Sequence, residues 1–160
     1  ILIKLHYMSL LSPENVNATG GIDWRSMLEK YKRFENVRVV EDQNINPYLF
    51  LADAMVTDYG GASLEFLCMD KPLIYLDCPG FFDLRGHHVF EKKARETGHL
   101  IDDVEALPAT LAKVLGGPDE FADKRAALIA RLLYNRGRAA EVGIATINGL
   151  MSASPGGRSA

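Results

Sequence analysis

The chain has 160 residues, of which 48% are apolar and 24% are charged, and its formal net charge is −3. This composition is typical of a soluble globular domain, and the weak negative charge gives no reason to expect nucleic-acid binding. No apolar run approaches the roughly 20 residues that a membrane-spanning helix needs. Cys68 and Cys78 have neither metal-ligand spacing nor disulfide density, so the sequence predicts reduced thiols in a cytoplasmic protein.

The amino-terminal part of the chain alternates strand-like and helix-like segments. Asp23 is a plausible N-cap for the first long helix, and Pro47 can begin a short one. In chain order, the sequence predicts a strand over Ile1–Leu5, a loop over Leu10–Gly21, a helix over Trp24–Phe34, a strand over Val37–Glu41 and a helix from Pro47 through Ala52.

The same alternation continues before the chain becomes mainly helical. The predicted elements are a strand over Ala54–Thr57, a helix over Ala62–Met69, a strand over Leu73–Leu76, a polar segment over Val89–Thr97, a short strand at Leu100–Ile101, and helices over Val104–Leu115, Asp119–Tyr134 and Arg138–Leu150. Repeated strand–helix units favour the α/β class, a Rossmann-like parallel sheet with helices on both faces. The apolar positions of the last three helices are expected in the core.

Both ends of the chain suggest a piece of a longer protein. The sequence opens directly on the apolar strand pattern, without an initiator Met, so we expect the domain to be truncated at its amino terminus. The last residues, Ser152–Ala160 (SASPGGRSA), are small and aperiodic, which predicts a disordered tail. The expected organisation is therefore one nucleotide-binding domain over residues 1–151, followed by the tail at 152–160.

Polar residues stand where the predicted strands end. Ligands of open parallel sheets bind beyond the carboxyl ends of the strands. The residues at those ends are His6, Asp42, Thr57, Asp58 and Asp77. Strands also end in polar residues simply at a protein surface, so this pattern alone leaves both interpretations open.

The strongest local signal is the turn from Thr57 to Gly61 (TDYGG), between a predicted strand and a predicted helix. Two glycines let backbone amides approach an anion, and a helix amino terminus favours phosphate. The spacing matches neither the P-loop nor the dinucleotide fingerprint. The alternative is a tight strand–helix turn in which glycine only supplies a positive φ.

Glu65 follows this turn by four residues, in the first turns of the predicted helix. A carboxylate there could hold the vicinal hydroxyls of a ribose while the amides hold phosphates, as in other nucleotide sites. The alternative is a glutamate that stabilises the helix dipole.

Several segments, in matching order over roughly residues 1 to 150, resemble the CDP-glycerol glycerophosphotransferases, enzymes that build teichoic-acid-type polymers. The resemblance is carried by Leu51–Tyr59 (LADAMVTDY), Lys71–Tyr75 (KPLIY), Ile3–His6 (IKLH), Arg85-Gly86 and Asn135–Glu141 (NRGRAAE). It implies a GT-B architecture, in which this chain is the carboxy-terminal domain that binds the donor nucleotide.

The same resemblance implies roles for particular residues. His6 would be catalytic and face the donor phosphates, whereas the donor would be bound by Thr57, Asp58, Tyr59, Gly60, Gly61, Glu65 and Arg85. The partners implied are a CDP-activated polyol phosphate and an N-terminal acceptor domain of the same protein. No cofactor and no metal are expected. The isolated chain would be inactive, and the whole protein would lie in the cytoplasm, peripherally at the inner face of the membrane.

Two departures from the family pattern leave alternatives open. Gly60-Gly61 stands where the family usually has Ser-Ser, and Tyr7 stands where it usually has Pro. The Gly-Gly turn with Glu65 also resembles the UDP-N-acetylglucosamine 2-epimerases, so a nucleotide-sugar epimerase or a GT-B glycosyltransferase is a second candidate. A flavodoxin-like interaction domain is the candidate that is not an enzyme.

A basic stretch and a histidine pair follow the last buried strand. The stretch of Arg85, Lys92, Lys93 and Arg95 could meet an anionic polymer acceptor or form a solvated helix face. His87-His88 has no carboxylate or thiol at matching spacing, so contact with pyrophosphate or plain exposure is expected rather than metal binding.

Overall fold

A computed structural model describes residues 1–58, 60–80, 83, 86 and 89–153 of the chain. The chain forms two compact units, Ile1–Ala52 and Asp53–Ala160. Each is described by itself below. Of the tail expected at 152–160, residues 154–160 lie outside the described residues. Residues 152 and 153 belong to the last helix.

The first unit contains a two-stranded parallel sheet, β1 with β2, in which Leu2 is opposite Arg38 and Ile3 is opposite Val39. Its core includes Leu28, Val40 and Leu49. The elements are β1 (Leu2–Ile3), a 3₁₀ helix (Tyr7–Leu10), α1 (Val16–Thr19), α2 (Trp24–Tyr31), β2 (Arg38–Val39) and α3 (Asn46–Leu51).

Local sequence explains where these helices begin. The Asp23 carboxylate accepts hydrogen bonds from the backbone N–H of Ser26 at 3.1 Å and from its hydroxyl at 2.6 Å, which lowers the pKa of Asp23. This confirms Asp23 as the N-cap of α2. The loop expected over 10–21 is wrong in part, because one helical turn, α1, forms within it and ends at Gly20 in the left-handed region.

The second unit contains a three-stranded parallel sheet in the order β3-β4-β5. Val56 is opposite Ile74, and Ile74 is opposite His99. The elements are β3 (Met55–Thr57), α4 (Gly61–Leu67), β4 (Leu73–Leu76), α5 (Val89–Arg95), β5 (His99–Ile101), a 3₁₀ helix (Val104–Ala106), α6 (Leu107–Gly116), α7 (Ala122–Leu132) and α8 (Ala139–Ala153).

The core of this unit is centred on β4. Leu73, Ile74 and Tyr75 are buried in succession, so both faces of the strand are covered, as its continuous apolar run predicts. Phe66 and Leu67 of α4 are fully buried as well. The parallel strands flanked by helices confirm the α/β class, with the strands divided between two small sheets.

An ionic cluster joins α7 to the turn between α4 and β4. The guanidinium of Arg125, whose side chain is 1% exposed, pairs with the carboxylates of Asp119 and Asp70. The Nε of Arg125 donates to Asp70 at 3.1 Å, and its Nη1 donates to Asp119 at 2.9 Å. Arg125 therefore fixes the segment that leads into β4.

The last helices depart from the expectation that their apolar residues are in the core. Leu128 and Ile129 of α7 are buried. In α8, however, Ile144, Ile147 and Leu150 are 61%, 58% and 68% exposed, so the expectation is wrong for this helix. Among the described residues, no helix combines the length and apolarity that a membrane span requires.

Candidate functional site

The carboxyl ends of the three strands in the second unit lie at one edge of their sheet, because the strands are parallel. Strands β3, β4 and β5 end at Thr57, Leu76 and Ile101. The residue that follows each of these ends is an aspartate: Asp58, Asp77 and Asp102. This edge therefore carries the polar residues expected of a ligand site in a parallel sheet.

Asp77 is held by contacts with other residues of the second unit. Its backbone N–H donates to the carbonyl of Ile101 at 2.7 Å, and its carboxylate pairs with the guanidinium of Arg95. The Arg95 side chain is 8% exposed. Arg95 is thus not part of a solvated basic face that an acceptor polymer could reach, whereas Lys92 on the same helix is exposed.

Cys78 lies among the charges of this edge. Burial raises the pKa of its thiol, and the carboxylates of Asp58 and Asp77 raise it further, while Arg95 lowers it. A thiol held in its protonated form is a poor nucleophile. This environment therefore gives Cys78 no enhanced reactivity.

The turn between β3 and α4 does not need glycine for its backbone. Gly60, the N-cap of α4, has φ 170° and ψ 173°, an extended conformation open to any residue. Neither Gly60 nor Gly61 lies in the left-handed region that favours glycine. A Cβ added to either would meet no described atom within 4 Å. The interpretation that these glycines merely supply positive φ is therefore wrong.

The position of Glu65 also bears on its alternative role. Glu65 is the fifth residue of α4, it is exposed, and no acidic residue occupies the first turn of this helix. Because the stabilising effect of the helix dipole falls off within the first turn, dipole stabilisation is a weak explanation for Glu65. The Glu65 carboxylate is exposed on the helix that follows the glycines, where a ligand can reach it.

Arg136 was not identified from the sequence as a site residue, although it lies in the same electrostatic environment as Glu65. Burial raises the pKa of the Cys68 thiol, Arg136 lowers it and Glu65 raises it. Arg136 stands between two residues in the left-handed region, Asn135 at φ 54° and Gly137 at φ 74°. A non-glycine residue at positive φ is uncommon, and the Asn-x-Gly spacing is the signal that could have drawn attention to this turn.

Ser63, which lies beside the candidate site on α4, was also not identified from the sequence. It is fully buried on α4, and its hydroxyl donates to the carbonyl of Gly60 at 2.7 Å. The backbone N–H of Ser63 donates to the same carbonyl at 3.0 Å. The turn that contains the glycines is thus held from inside the helix.

His6 lies in the first unit, where it is exposed and caps the 3₁₀ helix over Tyr7–Leu10. Its Nδ1 accepts a hydrogen bond from the backbone N–H of Met8 at 3.3 Å. The ring lies 4.5 Å from that of Tyr7, centroid to centroid. Because Nδ1 accepts this hydrogen bond, Nε2 is the ring nitrogen that remains to meet a ligand.

Other expected residues fall outside the described part of the chain. These are Tyr59 of the turn, Arg85, His87 and His88. Within the described ranges, no group of three or more His, Cys, Asp or Glu side chains is arranged to hold a metal ion.

An open depression of ≈ 230 Å³ lies at the opposite edge of the sheet in the second unit. Leu73 and His99, the first residues of β4 and β5, line it together with Asp119 and Arg125. Arg125 and Asp119 are paired with each other, so these two polar groups of the depression serve the fold. The carboxyl edge is the better candidate for a functional site.

A model of the family CDP-Glycerol:Poly(glycerophosphate) glycerophosphotransferase matches residues 1–147. The chain belongs to this family. The match extends from β1 through the middle of α8 and so includes both compact units. No curated protein and no solved structure is significantly similar to the chain.

Membership in the glycerophosphotransferase family confirms the resemblance read from the sequence motifs. It identifies a transferase family, and the matched residues include the turn at 57–61, Glu65 and His6. The candidate site of the second unit therefore lies within the part of the chain that the family shares.

Proposed function

We propose that this chain binds the CDP-activated donor of a polyol-phosphate transferase, and that the turn from Thr57 to Gly61 holds the donor pyrophosphate. The observation that carries the proposal is the pair of glycines. Neither backbone conformation nor packing against the described residues requires Gly60 or Gly61. Unhindered backbone amides at the start of α4 give such glycines a use in binding an anion.

Glu65 completes the donor site in this proposal. It is exposed on α4, one turn beyond the glycines, and it lies outside the range in which a helix dipole would account for it. Its carboxylate accepts hydrogen bonds from the ribose hydroxyls. Thr57 and Asp58 stand at the carboxyl end of β3, and in the proposal they bind the pyrophosphate. Tyr59 and Arg85, which lie outside the described residues, are the further donor-binding residues that the resemblance implies.

The transfer itself needs more than this site. In the proposal, the whole protein moves glycerol phosphate or a related polyol phosphate from its CDP carrier to a hydroxyl acceptor and releases CMP. An N-terminal acceptor domain supplies the catalytic base, and His6 donates from Nε2 to the departing phosphate. The chain alone binds donor without turnover. The product would be a teichoic-acid-type polymer, made peripherally at the inner face of the membrane.

Titration calorimetry of the 160-residue chain tests this assignment. We expect CDP-glycerol to bind more tightly than UDP-N-acetylglucosamine, and chelation of divalent cations to leave the affinity unchanged. The Gly-Gly turn with Glu65 is the observation that favours the second candidate, a nucleotide-sugar enzyme. Tighter binding of UDP-N-acetylglucosamine would therefore favour an epimerase or a glycosyltransferase. If the chain bound neither nucleotide at millimolar concentration, an interaction domain would be the better assignment.

Glu65→Ala is the variant that tests the ribose contact. The loss of a hydrogen bond to a charged group costs about 1.5–3 kcal/mol, so the Kd for CDP-glycerol should rise by roughly 10- to 100-fold. Asp123→Ala is the matched control, because Asp123 is also an exposed helical carboxylate of the second unit. Unchanged affinity in a folded Glu65→Ala protein would show that this carboxylate does not hold the donor.

A further inference from the structure

The segment that joins α7 to α8 is basic, although the chain as a whole carries a net charge of −3. Residues 131–138 (RLLYNRGR), here called the basic segment, contain three arginines and no acidic residue. The three are Arg131, Arg136 and Arg138, and all are exposed. Tyr134 lies among them and is 75% exposed. The basic segment therefore presents three positive charges and one aromatic ring to solvent.

A tight turn fixes the backbone of Arg136 within the basic segment. The backbone N–H of Arg138 donates to the carbonyl of Asn135 at 2.8 Å, which closes the turn. Gly137, the third residue of the turn, lies in the left-handed region at φ 74°, which glycine adopts without strain. Arg136 is the second residue of the turn and is exposed. Its guanidinium therefore projects from a backbone that is already ordered.

One of these arginines is neutralised by a carboxylate. Arg138 donates to Glu141 from both Nε and Nη2, each at 3.0 Å. Neither Arg131 nor Arg136 has an ion-pair partner in the part of the chain that the structure describes. A guanidinium that lacks a carboxylate keeps its planar set of N–H donors for another anion, and phosphate fits that set in a bidentate geometry.

The basic segment also lies close to the proposed donor site. Burial raises the pKa of the Cys68 thiol, Arg136 lowers it and Glu65 raises it, so both charges act at the end of α4. The other basic stretch of this unit is less open to a partner, because Arg95 is buried in its ion pair with Asp77. The basic segment is therefore the better candidate of the two for contact with an anion.

We infer that the basic segment binds the phosphates of the polyol-phosphate polymer that the enzyme extends, an inference that rests on the function proposed above. Such a polymer carries one negative charge in each repeating unit, so it is complementary to unpaired guanidinium groups. Arg131 and Arg136 contact its phosphodiester groups, and Tyr134 offers an apolar ring to the polyol carbons. Contact here holds the polymer beside the donor and raises the local concentration of its terminal hydroxyl.

The test titrates the 160-residue chain with a synthetic oligomer of six glycerol phosphate units, followed by NMR, and with CDP-glycerol in parallel. The test variant combines Arg131→Gln with Arg136→Gln. The matched control combines Lys92→Gln with Lys93→Gln, which removes two positive charges from α5 of the same unit. An oligomer of six glycerol units joined by ether bonds, without phosphate, measures how far binding depends on charge.

An exposed ion pair contributes up to about fivefold in affinity, so the loss of two should raise the Kd for the phosphate oligomer by about 10- to 25-fold. The α5 control should raise it by less than about twofold. Added salt should weaken binding by wild type more than binding by the double arginine variant. Arg131→Lys with Arg136→Lys keeps both charges and should recover most of the affinity. Arg131→Gln alone should leave the Kd for CDP-glycerol unchanged.

Wild-type affinity for the phosphate oligomer in a folded double arginine variant would overturn the inference. An equal loss in the α5 control would overturn it too, because binding would then follow net charge and not this surface. So would equal or tighter binding of a DNA hexanucleotide, since any polyanion would then suffice. A chain that binds CDP-glycerol but not the phosphate oligomer would overturn the inference and leave the donor site in place. If the chain bound no CDP-glycerol, the proposed function would fail, and the acceptor role of the basic segment would fail with it.

Discussion

At the residue scale, His6 combines a structural contact with a proposed chemical role. Its Nδ1 caps the 3₁₀ helix over Tyr7–Leu10, so His6→Ala should cost the first unit about 1 kcal/mol of unfolding free energy. His6→Asn keeps a side-chain acceptor at the cap and should recover most of that loss. Neither variant retains Nε2, so in a full-length transferase that contains this domain both should lower turnover by about 100-fold or more.

The two measurements for His6 are chemical denaturation and CMP release. Near-normal turnover in a folded His6→Asn enzyme would leave capping as the only role of this residue. The bond between Met8 N–H and Nδ1 could not be deduced from the sequence, because a histidine at a strand end is equally compatible with a cap and with a ligand contact.

The ionic cluster around Arg125 predicts a response to acid. The hydrogen bond from Arg125 is the largest cause that lowers the pKa of Asp119. A carboxyl group with a lowered folded-state pKa contributes stability above its unfolded pKa, and the contribution is lost as the pH falls through the folded value. We therefore expect the second unit to lose stability below about pH 4, the region of an ordinary aspartate pKa.

Asp119→Ala isolates this contribution. It removes a partner of a guanidinium whose side chain is 1% exposed, so it should cost about 1.5–3 kcal/mol at neutral pH and make the stability less dependent on pH in the acid range. Asp123→Ala, on an exposed carboxylate of α7, should cost under about 1 kcal/mol. Equal denaturation midpoints for the two variants would contradict a structural role for the cluster.

At the element scale, the approach of β5 to β4 depends on Gly98. A Cβ at this position would stand 2.4 Å from the backbone carbonyl oxygen of Leu73, which cannot move without disturbing β4. Gly98→Ala should therefore cost at least the 1–3 kcal/mol that is typical of overpacking, about as much as a large core defect. Gly143→Ala, in the open interior of α8, should instead stabilise the chain by about 0.5–1 kcal/mol. Thermal unfolding that ranks Gly98→Ala as stable as wild type would refute this packing account.

The elements that could be predicted from sequence are those with a strong local pattern. Leu73–Leu76 is a strand with the predicted bounds, since its apolar run is buried on both faces. The first two strands are shorter than the segments 1–5 and 37–41, because only Leu2–Ile3 and Arg38–Val39 pair. A hydrophobic pattern records apolar character, whereas a strand needs a hydrogen-bonded neighbour, so the ends of these strands could not be located.

The last helix shows a second limit of pattern reading. The apolar residues of α8 predict a buried face, yet Ile144, Ile147 and Leu150 are exposed. Periodicity gives the face of a helix but not what covers it. Similarly, the glycines and Glu65 of the candidate site stood out by residue type, whereas Ser63 and Arg136 emerged only from their hydrogen bonds and electrostatic neighbours.

At the scale of the whole molecule, the chain joins two compact units within one glycerophosphotransferase family match. We propose that the turn from Thr57 to Gly61 is built for a ligand and that the fold does not require its glycines. If this is right, adding one methyl group at Gly61 should weaken donor binding without lowering the stability of the fold. A Cβ at Gly61 meets no described atom. A loss of donor affinity in Gly61→Ala would therefore come from contact with the donor and not from a disturbed fold.

The most direct test is a paired measurement of unfolding free energy and CDP-glycerol affinity for Gly61→Ala, with Gly143→Ala as the control. Both variants should be as stable as wild type or more stable by about 0.4–1 kcal/mol, because alanine lowers the entropy of the unfolded chain. Only Gly61→Ala should bind CDP-glycerol more weakly, by about tenfold, the equivalent of one hydrogen bond. A Gly61→Ala protein that keeps wild-type affinity, or that loses stability where Gly143→Ala does not, would contradict the account.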